Sequence, residues 1–223
     1  MAHRARLGDG RGPRQAGRSL SSESPTPLES VIRRRRMTRR FVAGSLTAAE
    51  VAPLVDLARR APSAGYSQGV HFLLLDGLAL SDFWDVSGAR EWFAGVQGGV
   101  LDAPVVVLPL ADPTAYTERY SEGDKAGHGL DDARNWEVPF WLTDAAMATQ
   151  NLLLLAEDGG LGALYFGIFR NARAVLDSLG VPAHVLQVGA IALGARADDD
   201  RPSGSSVTRP RKDASSVIHL GRW

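Results

Sequence analysis

Two segments of this 223-residue chain combine residue types and spacings that suit ligand binding. Residues 61–69 read APSAGYSQG, which places serine and tyrosine hydroxyls beside a proline and two glycines. In a turn of this composition, backbone N–H groups approach a planar or anionic ligand closely. Residues 33–41 read RRRRMTRRF, and the planar guanidinium groups of these arginines suit bidentate binding of phosphate oxygens. The turn is therefore either a contact for a planar or anionic ligand or an ordinary connection. The arginine run is either a phosphate site or a solvated charged face.

Residues 65–69, GYSQG, also match the G-x-S-x-G pattern of serine hydrolases, with Ser67 as the nucleophile. That nucleophile needs a strand before it and a helix after it, so that its hydroxyl is exposed at a strained turn. Here the apolar periodicity predicts a helix before the turn, and the strand-like run 70–75 follows it. The order of elements argues against a hydrolase, which we keep as a remote alternative.

The composition argues against several other kinds of site. Without cysteine there is no disulfide framework, no thiolate nucleophile and no cysteine-based zinc site. The five histidines are scattered, so we expect no metal site and identify no catalytic side chain. Basic and acidic residues number 25 each, which gives no indication of a nucleic-acid partner. No apolar run reaches the roughly 20 residues of a membrane span, and we expect a cytoplasmic protein without membrane contact.

The charge is distributed unevenly along the chain. The first forty residues contain eleven arginines but only three acidic residues. Residues 1–25 are rich in Arg, Gly, Ser and Pro and have too few large apolar side chains to offset chain entropy. We therefore predict a disordered basic tail over 1–25 and a single domain over 26–223.

Capping signals and apolar patterns predict the elements that must position the two segments. TPLE at 26–29 and TAAE at 47–50 are capping boxes. The first starts a short helix that leads into the arginine run, and the second starts a helix that leads into the 61–69 turn. The later predicted elements are a helix over 80–93, a buried strand over 104–110, a polar covering segment over 122–137, a long helix over 139–158, a helix over 170–179, and strands over 161–166, 185–193 and 217–220.

Five segments in this order resemble the nitroreductase family of FMN-dependent flavoproteins, over about residues 28–223. Residues 35–41 are similar to the R-R-S-x-R-x-F segment that holds the FMN phosphate, and 61–68 to the A-P-S-x-x-N-x-Q turn against the flavin ring. Residues 144–156 resemble the family's central interface helix. Residues 160–169 resemble its G-L-G segment, and 217–223 its terminal segment.

The resemblance implies an α+β layered fold, with a central, mainly antiparallel sheet flanked by helices, in an intertwined homodimer. It also implies FMN as cofactor and a ping-pong oxidoreductase that passes electrons from NAD(P)H to nitroaromatic, quinone or similar acceptors. A flavin-binding or flavin-modifying relative without this turnover is the alternative.

The resemblance assigns residues to FMN by their positions in these motifs. Backbone amides near Phe166 and Gly167 would face N5 and O4 of the ring. Aromatic side chains that are candidates to cover the ring are Tyr66, Trp136, Phe140 and Trp141. The residues assigned to cofactor binding are Arg35, Arg36, Met37, Arg39, Pro62, Ser63, Ala64, Tyr66, Phe166, Gly167, Arg209 and Arg211.

The chain departs from the family pattern at three places. Met37 replaces a serine of the phosphate segment, which removes a hydroxyl ligand. Tyr66 replaces the asparagine of the turn, and Gly69-Val70 replaces a Pro-Trp pair. These departures bear on acceptor choice and on the reduction potential of the flavin.

Overall fold

A computed structural model describes residues 27–202 and 204–223 of the protein. In this part of the chain five strands form one sheet in the order β1-β2-β5-β3, with the short β4 paired to β2. All of these pairings are antiparallel. The strands are β1 (Val70–Leu75), β2 (Val105–Ala111), β3 (Gly162–Phe166), β4 (Leu186–Gln187) and β5 (Ala190–Gly194).

Helices cover both faces of the sheet. Those of the described residues are α1 (Pro27–Arg34), α2 (Ala48–Ala58), α3 (Gly77–Val86), α4 (Ala89–Val96), α5 (Pro113–Ser121), α6 (Phe140–Asp158), α7 (Ala172–Ser178) and α8 (Ser205–Thr208). None of them has the length and apolar character to cross a membrane. The predicted α+β fold with a mainly antiparallel sheet flanked by helices is confirmed.

Strand β2 is buried along its whole length because helices pack on both of its faces. Val106 and Leu108 point into a core cluster with residues of α3, α4 and α7. Val105 and Val107 point the opposite way, into a cluster with residues of α2 and α6. This burial on both sides explains why the strand reads as a continuous apolar run rather than as an alternating pattern.

The predicted capping box at the start of α2 is confirmed. Thr47 Oγ1 accepts a hydrogen bond from the N–H of Glu50, and the Glu50 carboxylate accepts one from the N–H of Thr47 at 2.8 Å. The hydrogen bonds that the Thr47 hydroxyl and then its N–H donate to the Glu50 carboxylate lower the pKa of Glu50. The helix that leads into the 61–69 turn therefore has a defined start. The tail 1–25 and Thr26 of the first capping box lie outside the described residues.

Three predicted elements differ in the structure. The helix predicted over 80–93 is two helices, because Gly88 adopts a left-handed conformation with φ 67° between them. The strand predicted over 185–193 is divided into β4 and β5 at Gly189, where a Cβ would lie 2.5 Å from the ring of Tyr165. The strand predicted over 217–220 is wrong, since these residues are exposed and form bends without strand pairing.

Candidate functional site

The turn between α2 and β1 has an unusual backbone. Residues 64–66 form a 3₁₀ turn, and Gly65, Tyr66 and Gln68 have φ values of 61°, 59° and 55°. Left-handed conformations are costly for side chains with a Cβ, and they persist where the surrounding structure enforces them, often at functional sites. The Tyr66 side chain is 76% exposed.

Two helices hold the turn through its backbone. The N–H of Ala64 donates to Asp144 Oδ2 on α6 at 2.9 Å. The carbonyl of Gly65 accepts from Arg119 Nε on α5, also at 2.9 Å. The ring of Tyr120 leaves no room for a side chain at Gly65, since a Cβ there would lie 2.7 Å from Cε2. The peptide groups on either side of the Ala64–Gly65 peptide are thus held by two different helices.

The serine side chains of the turn make contacts within it. Ser67 Oγ donates to the carbonyl of Ala64 at 2.7 Å, and Ser63 Oγ accepts from the N–H of Gln68 at 3.1 Å. Strand β1 follows Ser67 rather than preceding it. This is the order expected from the sequence, and it does not match the strand-to-helix elbow of a serine hydrolase.

Asp144 is the carboxylate beneath this turn, and it is 1% exposed. Besides the Ala64 N–H, its Oδ2 accepts the hydroxyl of Tyr116 at 2.7 Å. Burial raises the pKa of Tyr116, and the hydrogen bond to Asp144 and its charge raise it further, so the hydroxyl keeps its proton and donates. Sequence reasoning missed Asp144. Its signal was a carboxylate on a largely apolar helix face that includes Trp141, Ala145 and Leu152.

The arginine segment runs beside β3. The N–H of Thr38 donates to the carbonyl of Ala163 at 2.8 Å, and the N–H of Tyr165 donates to Met37 Sδ at 3.4 Å. The Met37 side chain packs against both of the main core clusters. Met37 therefore anchors the segment by packing, at the position where the family has a serine hydroxyl.

Asp200 organises the middle of the arginine segment, and sequence reasoning missed it as well. Its buried carboxylate forms a salt bridge with Arg36. The same carboxylate accepts the N–H groups of Arg39 and Arg40 at 2.9 and 3.0 Å. Arg36 thus has an internal partner, whereas the half-buried guanidinium groups of Arg35 and Arg39 have no acidic partner within residues 27–202 and 204–223.

Strand β3 leads into the third predicted contact region. The ring of Phe166 stacks on Trp84 at a centroid distance of 5.8 Å and meets Phe93 edge-on at 5.2 Å. This packing leaves the backbone rather than the side chain of Phe166 for ligand binding. The ring of Phe169 lies against Gly167, where a Cβ would be 2.7 Å from it. A cavity of about 290 Å³ adjoins this loop, with walls that include Trp92, Phe93, Phe169 and Arg170.

The other predicted residues differ in how accessible they are. Trp141 is buried against Tyr116, so it belongs to the core. Trp136 is half-buried, and its Nε1 donates to the carbonyl of Leu130 at 2.8 Å. Phe140 is 41% exposed, which leaves it and Tyr66 as the aromatic candidates with free surface.

The structure connects three of the four segments that carry the residues assigned to cofactor binding. Met37 contacts Tyr165, the hydroxyl of Tyr165 donates to the carbonyl of Val188 at 2.7 Å, and Val188 packs in the same cluster as Ala64. The fourth segment is separate: Arg209 and Arg211 lie in residues 204–223, all of which are exposed. Their part in the site stays a prediction.

A family model described as the nitroreductase family matches residues 32–195. The chain belongs to the nitroreductase family. It is 30% identical over 196 residues to the FMN reductase (NADPH) of Bacillus subtilis (strain 168), covering 86% of this chain and 72% of that one. It is 24% identical over 196 residues to a putative NADH dehydrogenase/NAD(P)H nitroreductase of Methanothermobacter thermautotrophicus, covering 86% and 85%.

Solved structures agree with this assignment. A putative nitroreductase in complex with FMN from Desulfovibrio desulfuricans superposes with a TM-score of 0.63 at 25% identity, covering 90% of this chain and 99% of that one. The NfrA2 structure from B. megaterium gives 0.69 at 20% identity, covering 89% and 76%. The family resemblance and the fold predicted from the sequence are therefore confirmed.

Replacing Gly65 by Ala tests how tightly the turn is held. The added Cβ meets Tyr120 at a left-handed φ, so we expect the free energy of unfolding to fall by about 1 to 3 kcal/mol. Gly123→Ala is the matched control, because a Cβ there meets nothing within 4 Å, and it should change stability by less than about 0.5 kcal/mol. Urea unfolding measures both, and equal stability of the two variants would contradict a constrained turn.

Proposed function

We propose that this protein is an FMN-dependent oxidoreductase that passes electrons from NAD(P)H to nitroaromatic, quinone or similar small acceptors. Membership of the nitroreductase family supports the general assignment, which is an NAD(P)H-dependent flavin oxidoreductase. The observation that carries the assignment to particular residues is the turn 63–68. It has left-handed residues at Gly65, Tyr66 and Gln68, and its backbone is held by Asp144 and Arg119.

The donor set fits the chemical parts of FMN. A phosphate dianion is bound well by planar guanidinium groups, each of which donates two hydrogen bonds. Arg35 and Arg39 supply such groups, and neither has an acidic partner among the described residues. A planar ring requires backbone that it can approach closely. Gly167 and the 63–66 turn supply such backbone. Their segments are connected by the Met37–Tyr165 and Tyr165–Val188 hydrogen bonds and by the core cluster against which both Val188 and Ala64 pack.

The individual roles follow from these positions. We assign the phosphate to Arg35 and Arg39, joined by Arg209 and Arg211, while the Arg36–Asp200 pair holds the segment in place. We assign the polar edge of the ring to the turn residues Pro62, Ser63, Ala64 and Tyr66, and the amides of Phe166 and Gly167 to N5 and O4. FMN, when bound, supplies the hydride chemistry, and the chain supplies binding, orientation and electrostatics.

The acceptor and the nicotinamide would use one pocket in turn, which makes the kinetics ping-pong. Tyr66 and Phe140 carry the exposed aromatic surface beside the turn, and planar acceptors suit such surface. A flavin-binding or flavin-modifying protein without this turnover is the second candidate, because Met37 and Tyr66 replace two polar residues of the family pattern.

We further propose a homodimer in which residues 204–223 of each subunit pack against the surface of the other subunit. All of these residues are exposed in the single chain. The large apolar side chains among them are Val207, Val217, Ile218, Leu220 and Trp223, with exposed fractions from 56% to 99%. An exposed apolar segment of this kind is typical of an interface. It would also carry Arg209 and Arg211 to a phosphate site at the subunit boundary.

The phosphate assignment predicts the effect of removing single arginines. Arg39→Ala and Arg211→Ala should each weaken FMN binding about tenfold to a hundredfold, because a charge-assisted bond contributes roughly 1.5 to 3 kcal/mol. Arg33→Ala, in the same run but exposed at the end of α1, should have little effect. Titration of the apoprotein followed by flavin fluorescence measures this. Riboflavin, which lacks the phosphate, should bind weakly to all variants, and unchanged FMN affinity in both mutants would refute the assignment.

The proposed turnover predicts a kinetic pattern. With FMN loaded, NADH or NADPH oxidation should depend on an added quinone or nitroaromatic acceptor, and double-reciprocal plots at several acceptor concentrations should be parallel. Stopped-flow and steady-state absorbance at the nicotinamide band measure this. Tight FMN binding without acceptor-dependent oxidation would favour the flavin-binding alternative instead.

The proposed dimer predicts a mass of twice 23.9 kDa by light scattering. The double variant Ile218→Asp with Leu220→Asp should shift the protein to a monomer, because it places charge on the apolar arm. Leu78→Asp is the control, since Leu78 is 85% exposed on α3 and outside the arm, and this variant should stay dimeric. A wild-type protein that runs as a monomer would contradict the proposal.

A further inference from the structure

The buried acidic residues of the described chain differ in how their charge is balanced. Asp200 pairs with Arg36, and Glu157 pairs with Arg34 and Arg196. Asp144 is the exception, since no basic side chain within residues 27–202 and 204–223 forms an ion pair with it. Removing a charge from water is costly unless it is paired, so a buried carboxylate held only by neutral donors calls for an explanation.

The donors around Asp144 come from the elements that surround the turn. One oxygen accepts both the N–H of Ala64 and the hydroxyl of Tyr116 from α5. The hydroxyl of Thr143 lies 3.3 Å from the other oxygen. The carboxylate is therefore held in one orientation directly beneath the backbone of Ala64.

The nearby cation does not cancel this charge. Arg119 touches the turn through the carbonyl of Gly65, but its two terminal nitrogens donate to Asp124 at 2.7 Å, and one of them also to Glu122. The hydrogen bond from Arg119 lowers the pKa of Asp124 to about 2, so this partner stays ionised at neutral pH. Around the turn, Asp144 thus remains the buried charge without a counter-ion.

We propose that Asp144 is a positioning residue for the flavin-binding turn, and that its buried charge lowers the reduction potential of bound FMN. The proposal rests on the proposed function. The hydrogen bond to Ala64 holds the peptide that faces the ring, and the fixed negative charge beneath it opposes the arrival of electrons on the cofactor. A hydrophobic residue at this position would pack in the core but would supply neither effect, and a neutral asparagine would supply an acceptor without the charge.

The charge is tested by Asp144→Asn, which keeps the size and one acceptor oxygen. Glu118→Gln is the matched control, because it removes one negative charge from the exposed face of the helix that carries Tyr116. Tyr116→Phe removes a donor and keeps the carboxylate. We expect the midpoint potential of bound FMN, measured by spectroelectrochemistry, to rise in Asp144→Asn and not in the other two. An unchanged potential in Asp144→Asn, with FMN bound, overturns the electrostatic role.

The positioning role is tested without cofactor by hydrogen exchange at the Ala64 amide. We expect this amide to be protected in the wild-type apoprotein and to exchange faster in Asp144→Ala, whereas Glu118→Gln leaves its rate unchanged. Equal exchange rates of the Ala64 amide in the wild type and Asp144→Ala overturn the positioning role. If the Ala variant unfolds, Asp144→Asn replaces it in the test; because it retains an acceptor, its Ala64 amide should show an intermediate exchange rate. A wild type that binds no FMN refutes the proposed function and the effect on potential with it, while the exchange result still decides the positioning role.

Discussion

The backbone of one turn depends on a carboxylate that the chain buries at considerable cost. Asp144 joins α6 to the N–H of Ala64 and to the hydroxyl of Tyr116 on α5. Arg119 holds the carbonyl of Gly65. Left-handed conformations at Tyr66 and Gln68 are unfavourable in an isolated peptide, so these contacts are what make the turn a fixed surface rather than a flexible connection.

The arginine segment shows how identical residues acquire different roles from their partners. The buried carboxylate of Asp200 forms a salt bridge with Arg36 and accepts hydrogen bonds from the N–H groups of Arg39 and Arg40 in the same segment. Neighbouring arginines, Arg35 and Arg39, keep guanidinium groups without acidic partners among the described residues. The Asp200 carboxylate thus fixes the backbone of the arginine segment, and this backbone positions the guanidinium groups of Arg35 and Arg39. In the proposed function this division separates the residues that shape the phosphate site from those that contact the phosphate.

Most of the elements could be predicted because their signals are local. The capping box at Thr47, the apolar run of β2 and the long pattern of α6 each specify an element without reference to the rest of the chain. One error had a local cause, the left-handed Gly88 that divides the helix predicted over 80–93, and the other two involved distant parts of the chain. The ring of Tyr165 packs against Gly189 and divides one predicted strand in two. Val217, Ile218 and Leu220 are apolar residues typical of a strand, but no strand of the part of the chain that the structure describes pairs with them.

The sequence by itself determined the family, because the motifs that resemble it are formed by neighbouring residues, and the family in turn implied the α+β class. The same motifs marked the segments assigned to the candidate site. Only the tertiary structure decided which side chains within those segments are free to bind a ligand. Arg36 and Arg39 are equivalent as letters, yet only Arg36 meets Asp200 through its guanidinium, across 164 positions. Asp144 likewise carries no sign of its role in the sequence of α6 until folding places it under Ala64, 80 positions away. Such pairings depend on chain geometry, which no local pattern encodes.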